Sequence, residues 1–185
     1  MDVLTLLANL HGTDKGDSTG PRHNYTPTYH QMLHHSREMV RGVLEVGVQS
    51  GASLKMWRDY FPHAEVYGVE IEERDYELGE RIHVILGDVK TVALPDLKFD
   101  LIVDDGSHQD ADILSAFSRL WPRLNDGGFY IIEDLDGTVS PPIGARTIQY
   151  FKDRIRGVDL GEHLRSIEFF DHIIVLRREG SPVAA

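Results

Sequence analysis

Val43-Leu44-Glu45-Val46-Gly47-Val48-Gln49-Ser50-Gly51 reads as a buried strand that runs into a glycine-punctuated turn. The apolar run supplies the strand. Gly47 and Gly51 permit positive φ and a close approach of a ligand to the main chain. Ala52-Ser53-Leu54-Lys55-Met56-Trp57 then opens a helix. A strand, turn and helix in this order suit a nucleotide-like ligand. The spacing narrows the choice, because a dinucleotide site wants G-x-G-x-x-G, with its second glycine making room for a pyrophosphate. Here the pattern is Glu45-x-Gly47-x-x-x-Gly51, and a dehydrogenase is disfavoured.

Working outward, a second strand, Glu65-Val66-Tyr67-Gly68-Val69-Glu70, closes on an acid where α/β nucleotide folds bind ribose hydroxyls, so Glu70 is the ribose candidate. A third, Ile82-His83-Val84-Ile85-Leu86, runs into Gly87-Asp88. The first motif resembles that of class I S-adenosylmethionine (SAM) methyltransferases. In that family an acid after the third strand commonly contacts the adenine amino group, which implies Asp88. The resemblance places Glu45, Gly47, Ser50 and Gly51 around the cofactor as well. Glycine turns after strands also occur for purely structural reasons, and the two later strand ends are what favour the ligand reading.

Strands are predicted near 43–48, 65–70, 82–87, 99–104, 128–133, 166–170 and 172–177, and helices over 2–10, 26–40, 51–61, 110–123 and 145–156. Alternating strands and helices indicate an α/β, Rossmann-like, doubly wound seven-stranded sheet with helices on both faces. The final two strands are close enough for a hairpin, so the last strand is expected to be antiparallel. The domain reading is a single unit over 1–185: N-terminal helices and a lid loop over 1–40, a core over 41–178 and a mobile tail over 179–185. The glycine-rich loop from His11 to Pro21 is too long for a simple helix connection and is read as a lid.

Composition excludes several function classes. At 185 residues, 41% hydrophobic and 26% charged, the chain is globular. No apolar run approaches the ~20 residues needed to span a bilayer, and Met1–Leu10 lacks a basic start and a cleavage site. A cytoplasmic protein with no membrane partner is expected. Zero cysteines exclude disulfides and thiolate chemistry. The net charge of −11 argues against nucleic acid, since phosphate binding needs a basic surface, and favours a small neutral or cationic substrate.

The chemistry is expected at two acidic strand ends, Asp104-Asp105-Gly106-Ser107-His108 and Glu133-Asp134-Leu135-Asp136. Ligands bind at the carboxyl edge of an open α/β sheet, where Asp105, Glu133 and Asp134 can converge. Packed carboxylates repel unless protons or a cation intervene, and oxygen ligands favour Mg²⁺, or else Mn²⁺ or Ca²⁺. Such an ion leaves positions for a vicinal diol and lowers the pKa of a bound hydroxyl. His108 is placed to take that proton. The competing readings are that these acids cap helices and loop amides, and that His108 only holds its loop. Asp104 either serves as such a cap or faces the cofactor's amino group.

Together with Gly12-Thr13-Asp14-Lys15-Gly16 and His23-Asn24-Tyr25-Thr26, these motifs resemble the Mg²⁺-dependent sugar O-methyltransferases of macrolide biosynthesis, the mycinamicin 2''-O-methyltransferase type, over roughly residues 10–178. The resemblance implies Asp105, Glu133 and Asp134 as metal ligands, His108 as base and Tyr25 as a SAM contact beneath the closing loop. It implies a hydroxyl of a sugar or glycosylated natural product as acceptor, in antibiotic biosynthesis, and SAM and Mg²⁺ as cofactors. The core is expected without the N-terminal auxiliary domain of the larger macrolide enzymes, and with a pocket shaped by Gly137–Gly144. Exposed helical faces near the N-terminus could support a homo-oligomer. Readings from other classes are a metal-assisted hydrolase and a non-catalytic binding subunit of the same fold.

Overall fold

A computed structural model of the chain describes residues 1–17, 23–136, 142–157 and 163–180. Residues 18–21 of the expected lid loop, 137–141 of the expected acceptor segment and 181–185 of the expected tail lie outside the described residues. The described strands form a mixed sheet of seven in the order β3-β2-β1-β4-β5-β7-β6, with helices around it. This is the Rossmann-like arrangement expected. Two compact units, 1–87 and 88–185, make up the chain.

In the first unit, the strands are β1 (Gly42–Val46), β2 (Glu65–Glu70) and β3 (Ile82–Leu86). β1 pairs parallel with β2, Val43 opposite Val66, and β2 pairs parallel with β3. All five residues of β1 are buried, apolar but for Glu45, as in a strand covered on both faces. Helix α1 (Val3–His11) begins where the Asp2 carboxylate accepts the Thr5 N–H at 2.8 Å, a side-chain cap. Helix α2 (Thr26–Leu33) is shorter than the predicted 26–40 and tightens into a 3₁₀ turn over His34–Ser36. The Ser36 hydroxyl bonds the Leu33 carbonyl at 3.0 Å there, offering the backbone an alternative to the helical ladder. Helix α3 (Ala52–Tyr60) buries Ser53, Met56, Trp57 and Tyr60, the i, i+3, i+4, i+7 stripe of a core-facing helix.

In the second unit, β4 (Phe99–Asp104) pairs parallel with β5 (Leu124–Ile132), and β7 (Ile173–Arg178) runs antiparallel to both β5 and β6 (Leu164–Phe170). The antiparallel last strand is therefore present. β5 begins four residues earlier than the predicted 128, because Asn125-Asp126-Gly127-Gly128 is absorbed as a bulge between the pairs Phe99–Leu124 and Leu101–Phe129; turn-forming residues inside a strand commonly mark such a bulge. Helix α4 (Asp110–Leu120) buries Ile113, Ala116, Phe117 and Leu120. The Phe117 ring meets Tyr130 and Phe151 edge-on at 5.2 and 5.0 Å, the Phe151 contact coming from α5 (Ala145–Gly157). Truncating a ring packed this way costs about 3–5 kcal/mol.

Candidate active site and cofactor turn

β4 and β5 end level with each other. Asp104 lies opposite Ile132, and the Glu133 N–H donates to the Asp104 carbonyl at 3.0 Å. That register brings the two acidic strand ends together. Asp105, His108 and Asp134 each offer a ligand atom within 4.8 Å of the others, and all three side chains are half-buried. His108 Nε2 stands 3.7 Å from Asp134 Oδ2. His108 and Asp134 adopt φ of 56° and 58°, a left-handed backbone that costs a non-glycine residue about 1–3 kcal/mol and persists where the surroundings over-determine it. The two carboxylates supply oxygen donors that suit Mg²⁺ or Mn²⁺, with the imidazole beside them.

The loop bearing His108 is braced from α4. Ser107 Oγ donates to Asp112 Oδ2 at 2.7 Å and accepts from the Gln109 N–H at 3.3 Å, while Lys90 Nζ holds the other Asp112 oxygen at 2.7 Å. The Lys90 and Ser107 bonds keep the Asp112 carboxyl below its ordinary range. Asp110 accepts both the Thr147 N–H and hydroxyl, at 2.7 and 2.8 Å, tying the start of α5 to α4.

Glu133 and Asp104 of these strand ends are buried. Glu133 is 1% exposed, and the converging atoms are those of Asp105, His108 and Asp134. Asp104 is pushed up to about 7: burial dominates, the Gly106 N–H opposes it, Asp105 adds to it and the Tyr130 hydroxyl opposes it. Asp88 is engaged in its own turn, with Oδ1 accepting the Lys90 N–H at 2.8 Å and Oδ2 3.4 Å from Lys90 Nζ.

The cofactor turn lies in the first unit. Gly47 and Gly51 adopt φ of 87° and 78°, and Ser50 is exposed between them. A Cβ on Gly51 would push on Leu78 Cδ2, the end of a flexible side chain, and lie 3.7 Å from Tyr76 Cδ1, so it is the backbone angle that requires glycine. Glu70 Oε2 accepts the N–H groups of Val48 and Gln49 at 3.0 and 2.9 Å, and Oε1 those of Ile71 and Glu72 at 2.8 and 3.1 Å. Burial raises the Glu70 carboxyl, and these four donors together bring it below its ordinary value. The expected ribose acid thus clamps the turn.

Glu45 is fully buried in β1. Its Oε2 accepts the Trp57 indole N–H at 2.9 Å, and its Oε1 lies 3.5 Å from Lys15 Nζ. Lys15, which sequence reasoning did not single out, is 1% exposed. The signal was an acid in the middle of an otherwise apolar strand, since buried charges are almost always paired. Tyr25 and Thr26 donate their N–H groups to the Lys15 carbonyl at 3.0 and 3.2 Å. Tyr25 itself is buried, its hydroxyl 3.2 Å from His23 Nδ1, and its ring continues through Tyr29 at 6.0 Å to Trp57 at a further 5.9 Å. The described part of the N-terminal loop is therefore stitched to the strand that opens the cofactor turn.

Residues 44–135, which hold this turn and both acidic strand ends, match the model of the family described as a methyltransferase domain. The chain carries a methyltransferase domain. It is 38% identical over 151 residues to the 8-demethyl-8-alpha-L-rhamnosyl tetracenomycin-C 2'-O-methyltransferase of Streptomyces olivaceus, covering 75% of this chain and 39% of the relative. It is 33% identical over 137 residues to the mycinamicin VI 2''-O-methyltransferase of Micromonospora griseorubida, covering 67% and 34%. The chain thus spans well under half the length of the curated relatives it matches. The solved structure of the MycE methyltransferase from the mycinamycin biosynthetic pathway, in complex with Mg, SAH and mycinamycin VI, superposes with a TM-score of 0.81 at 24% identity, over 97% of this chain and 55% of that one. That likeness shows the methyltransferase domain to have the fold of MycE.

Proposed function

We propose that this methyltransferase domain is a SAM- and Mg²⁺-dependent O-methyltransferase that modifies a hydroxyl of a sugar or glycosylated natural product in antibiotic biosynthesis. The observation that carries the proposal is the convergence of Asp105, His108 and Asp134 at the ends of adjacent strands within a methyltransferase domain. Asp105, Asp134 and Glu133 would hold the ion. Bound there, Mg²⁺ supplies the charge that acidifies a chelated hydroxyl, and SAM supplies the methyl group. His108 Nε2 takes the acceptor's proton, and the Asp134 carboxylate 3.7 Å away steadies the imidazolium that results. His108 must be neutral to act.

Around the cofactor the proposal assigns Glu45, Gly47, Ser50, Gly51, Glu70 and Tyr25 of the first unit, and Asp88 and Asp104 of the second. Residues 1–185 act as one functional domain, with the N-terminal loop as its cover. The acidic chain suits a neutral polyol better than a polyanion, and nucleic acid is not a partner. No helix among the described residues is long and apolar enough to cross a membrane, in keeping with a cytoplasmic enzyme. Leu6 and Leu10, 53% and 73% exposed one turn apart on α1, support a homo-oligomer.

Isothermal titration of metal-stripped protein with SAM, repeated with Mg²⁺ and a vicinal-diol sugar, tests this reading. SAM binding without metal, with diol binding only when Mg²⁺ is present, is the expected result. A metal-assisted hydrolase would bind Mg²⁺ and not SAM. The same convergence favours one variation, in which His108 is itself a ligand. Under it His108→Ala would weaken Mg²⁺ binding, whereas a base leaves that affinity unchanged.

A further inference from the structure

One side of α4, continued by the 3₁₀ turn Trp121–Arg123, grips the segment that begins at Asp88. The Arg119 guanidinium donates to the Val89 and Val92 carbonyls, Arg123 Nη1 donates to the Pro95 carbonyl at 2.7 Å, and Asp112 Oδ1 holds Lys90 Nζ at 2.7 Å. Positions 112, 119 and 123 recur at helical spacing and so share a side. Asp88 is closed into a turn there. Its carbonyl accepts the Thr91 and Val92 N–H groups at 2.9 and 2.8 Å, its Oδ1 accepts the Lys90 N–H at 2.8 Å, and its Oδ2 lies 3.4 Å from Lys90 Nζ. Lys90 therefore orients both oxygens of Asp88, and Asp112 orients Lys90.

The second Asp112 oxygen reaches the loop that carries Asp105 and His108. Oδ2 accepts the Ser107 hydroxyl at 2.7 Å, and that hydroxyl accepts the Gln109 N–H at 3.3 Å. The two neighbours of His108 are thus pinned to each other and to α4. From the helix side, the Asp112 and Ile113 N–H groups donate to the Gln109 carbonyl at 2.9 and 3.0 Å. A carboxylate with one short bond on each oxygen cannot swing toward one partner without losing the other. Asp112 is a junction between the Asp88 turn and the His108 loop.

We propose that Asp112 is a positioning residue for both ligands: through Lys90 it presents Asp88 to the adenine amino group, and through Ser107 it fixes the loop that holds Asp105 for the metal. This rests on the SAM and Mg²⁺ reading above. Lys90 and Ser107 act as separate arms, each holding its target in place before the ligand arrives and so lowering the ordering cost of binding. Both side chains are exposed, so either arm can be cut without opening the core.

Calorimetric titration with SAH and, separately, with Mg²⁺ tests the bridge, alongside thermal unfolding of each protein. Lys90→Met is expected to weaken SAH about three- to tenfold, the worth of one pre-ordered side chain, and to keep Mg²⁺ affinity within about twofold. Ser107→Ala should weaken Mg²⁺ about tenfold, the low end for removing an outer-shell support, and keep SAH affinity within about twofold. Ser107→Thr, which retains the hydroxyl, should restore it. Asp112→Ala should show both losses. A single-arm variant that keeps both affinities or loses both, a Ser107→Thr protein as weak as Ser107→Ala, or an Asp112→Ala protein that keeps either affinity overturns the bridge and leaves the SAM and Mg²⁺ reading standing. Losses that follow a falling unfolding temperature in the single-arm variants overturn it likewise. A parent that binds no SAH or no Mg²⁺ overturns the reading itself, and the role of Asp112 with it.

Discussion

Replacing Lys15 with Met keeps the aliphatic stem and removes the cation facing a carboxylate that is 0% exposed, from a side chain itself only 2% exposed. At the observed 3.5 Å, unit charges attract by about 5 kcal/mol at an effective dielectric of ~20. Removing one partner of a buried pair costs about 3–5 kcal/mol. Lys15→Met is therefore expected to lose about 3–5 kcal/mol of unfolding free energy, a large share of the ~5–15 kcal/mol typical of a domain. Urea unfolding at pH 7, followed by tryptophan fluorescence, reads the loss directly. The double variant Lys15→Met/Glu45→Gln should regain most of it, because the amide oxygen can still accept the Trp57 N–H without an ionic charge. The parent should respond weakly to added salt, as buried pairs are poorly screened. A loss below about 1 kcal/mol in the single variant, or a double variant no more stable than the single, would refute the argument that this pair anchors the N-terminal loop to the strand.

Further expectations concern the site. Asp105→Asn should reduce Mg²⁺ affinity at least ~10-fold by calorimetry with little change in unfolding, since it removes a charged ligand from a half-buried cluster. Asp104 holds its proton in the folded state up to about pH 7, whereas the unfolded chain releases it near 3.8. The folded state thus binds the extra proton between those values, and the stability of metal-free protein should fall as pH rises through that window, by at most about 4 kcal/mol, then flatten. Asp104→Asn should remove that slope, which denaturant melts at pH 4.5, 6 and 8 would check. Gly51→Ala must hold a Cβ at φ 78° and displace Leu78; a loss of about 1–2 kcal/mol from the backbone alone is expected, with weaker SAH binding by calorimetry.

Much of the molecule was legible in the chain because its signals are local. The apolar run 43–46, the glycines at 47 and 51 and the strand periodicities depend on residues within a few positions of one another, and the sheet forms where they indicate. The parallel pairing of β4 with β5, which sets the two acidic ends side by side, also followed from element order. Other features needed distant partners. β5 starts early because a bulge against β4 absorbs four turn-forming residues. Sequence alone determined that Glu45 and Glu70 sit at strand positions beside a glycine turn. Only the tertiary structure decided that Lys15 and Trp57 meet Glu45, and that four N–H groups fill Glu70. His108, Asp105 and Asp134 cluster at the two strand ends that element order sets side by side. Strand periodicity is written in neighbouring residues, whereas the partner of a buried charge is chosen by whichever distant segment the packed chain brings within hydrogen-bond reach.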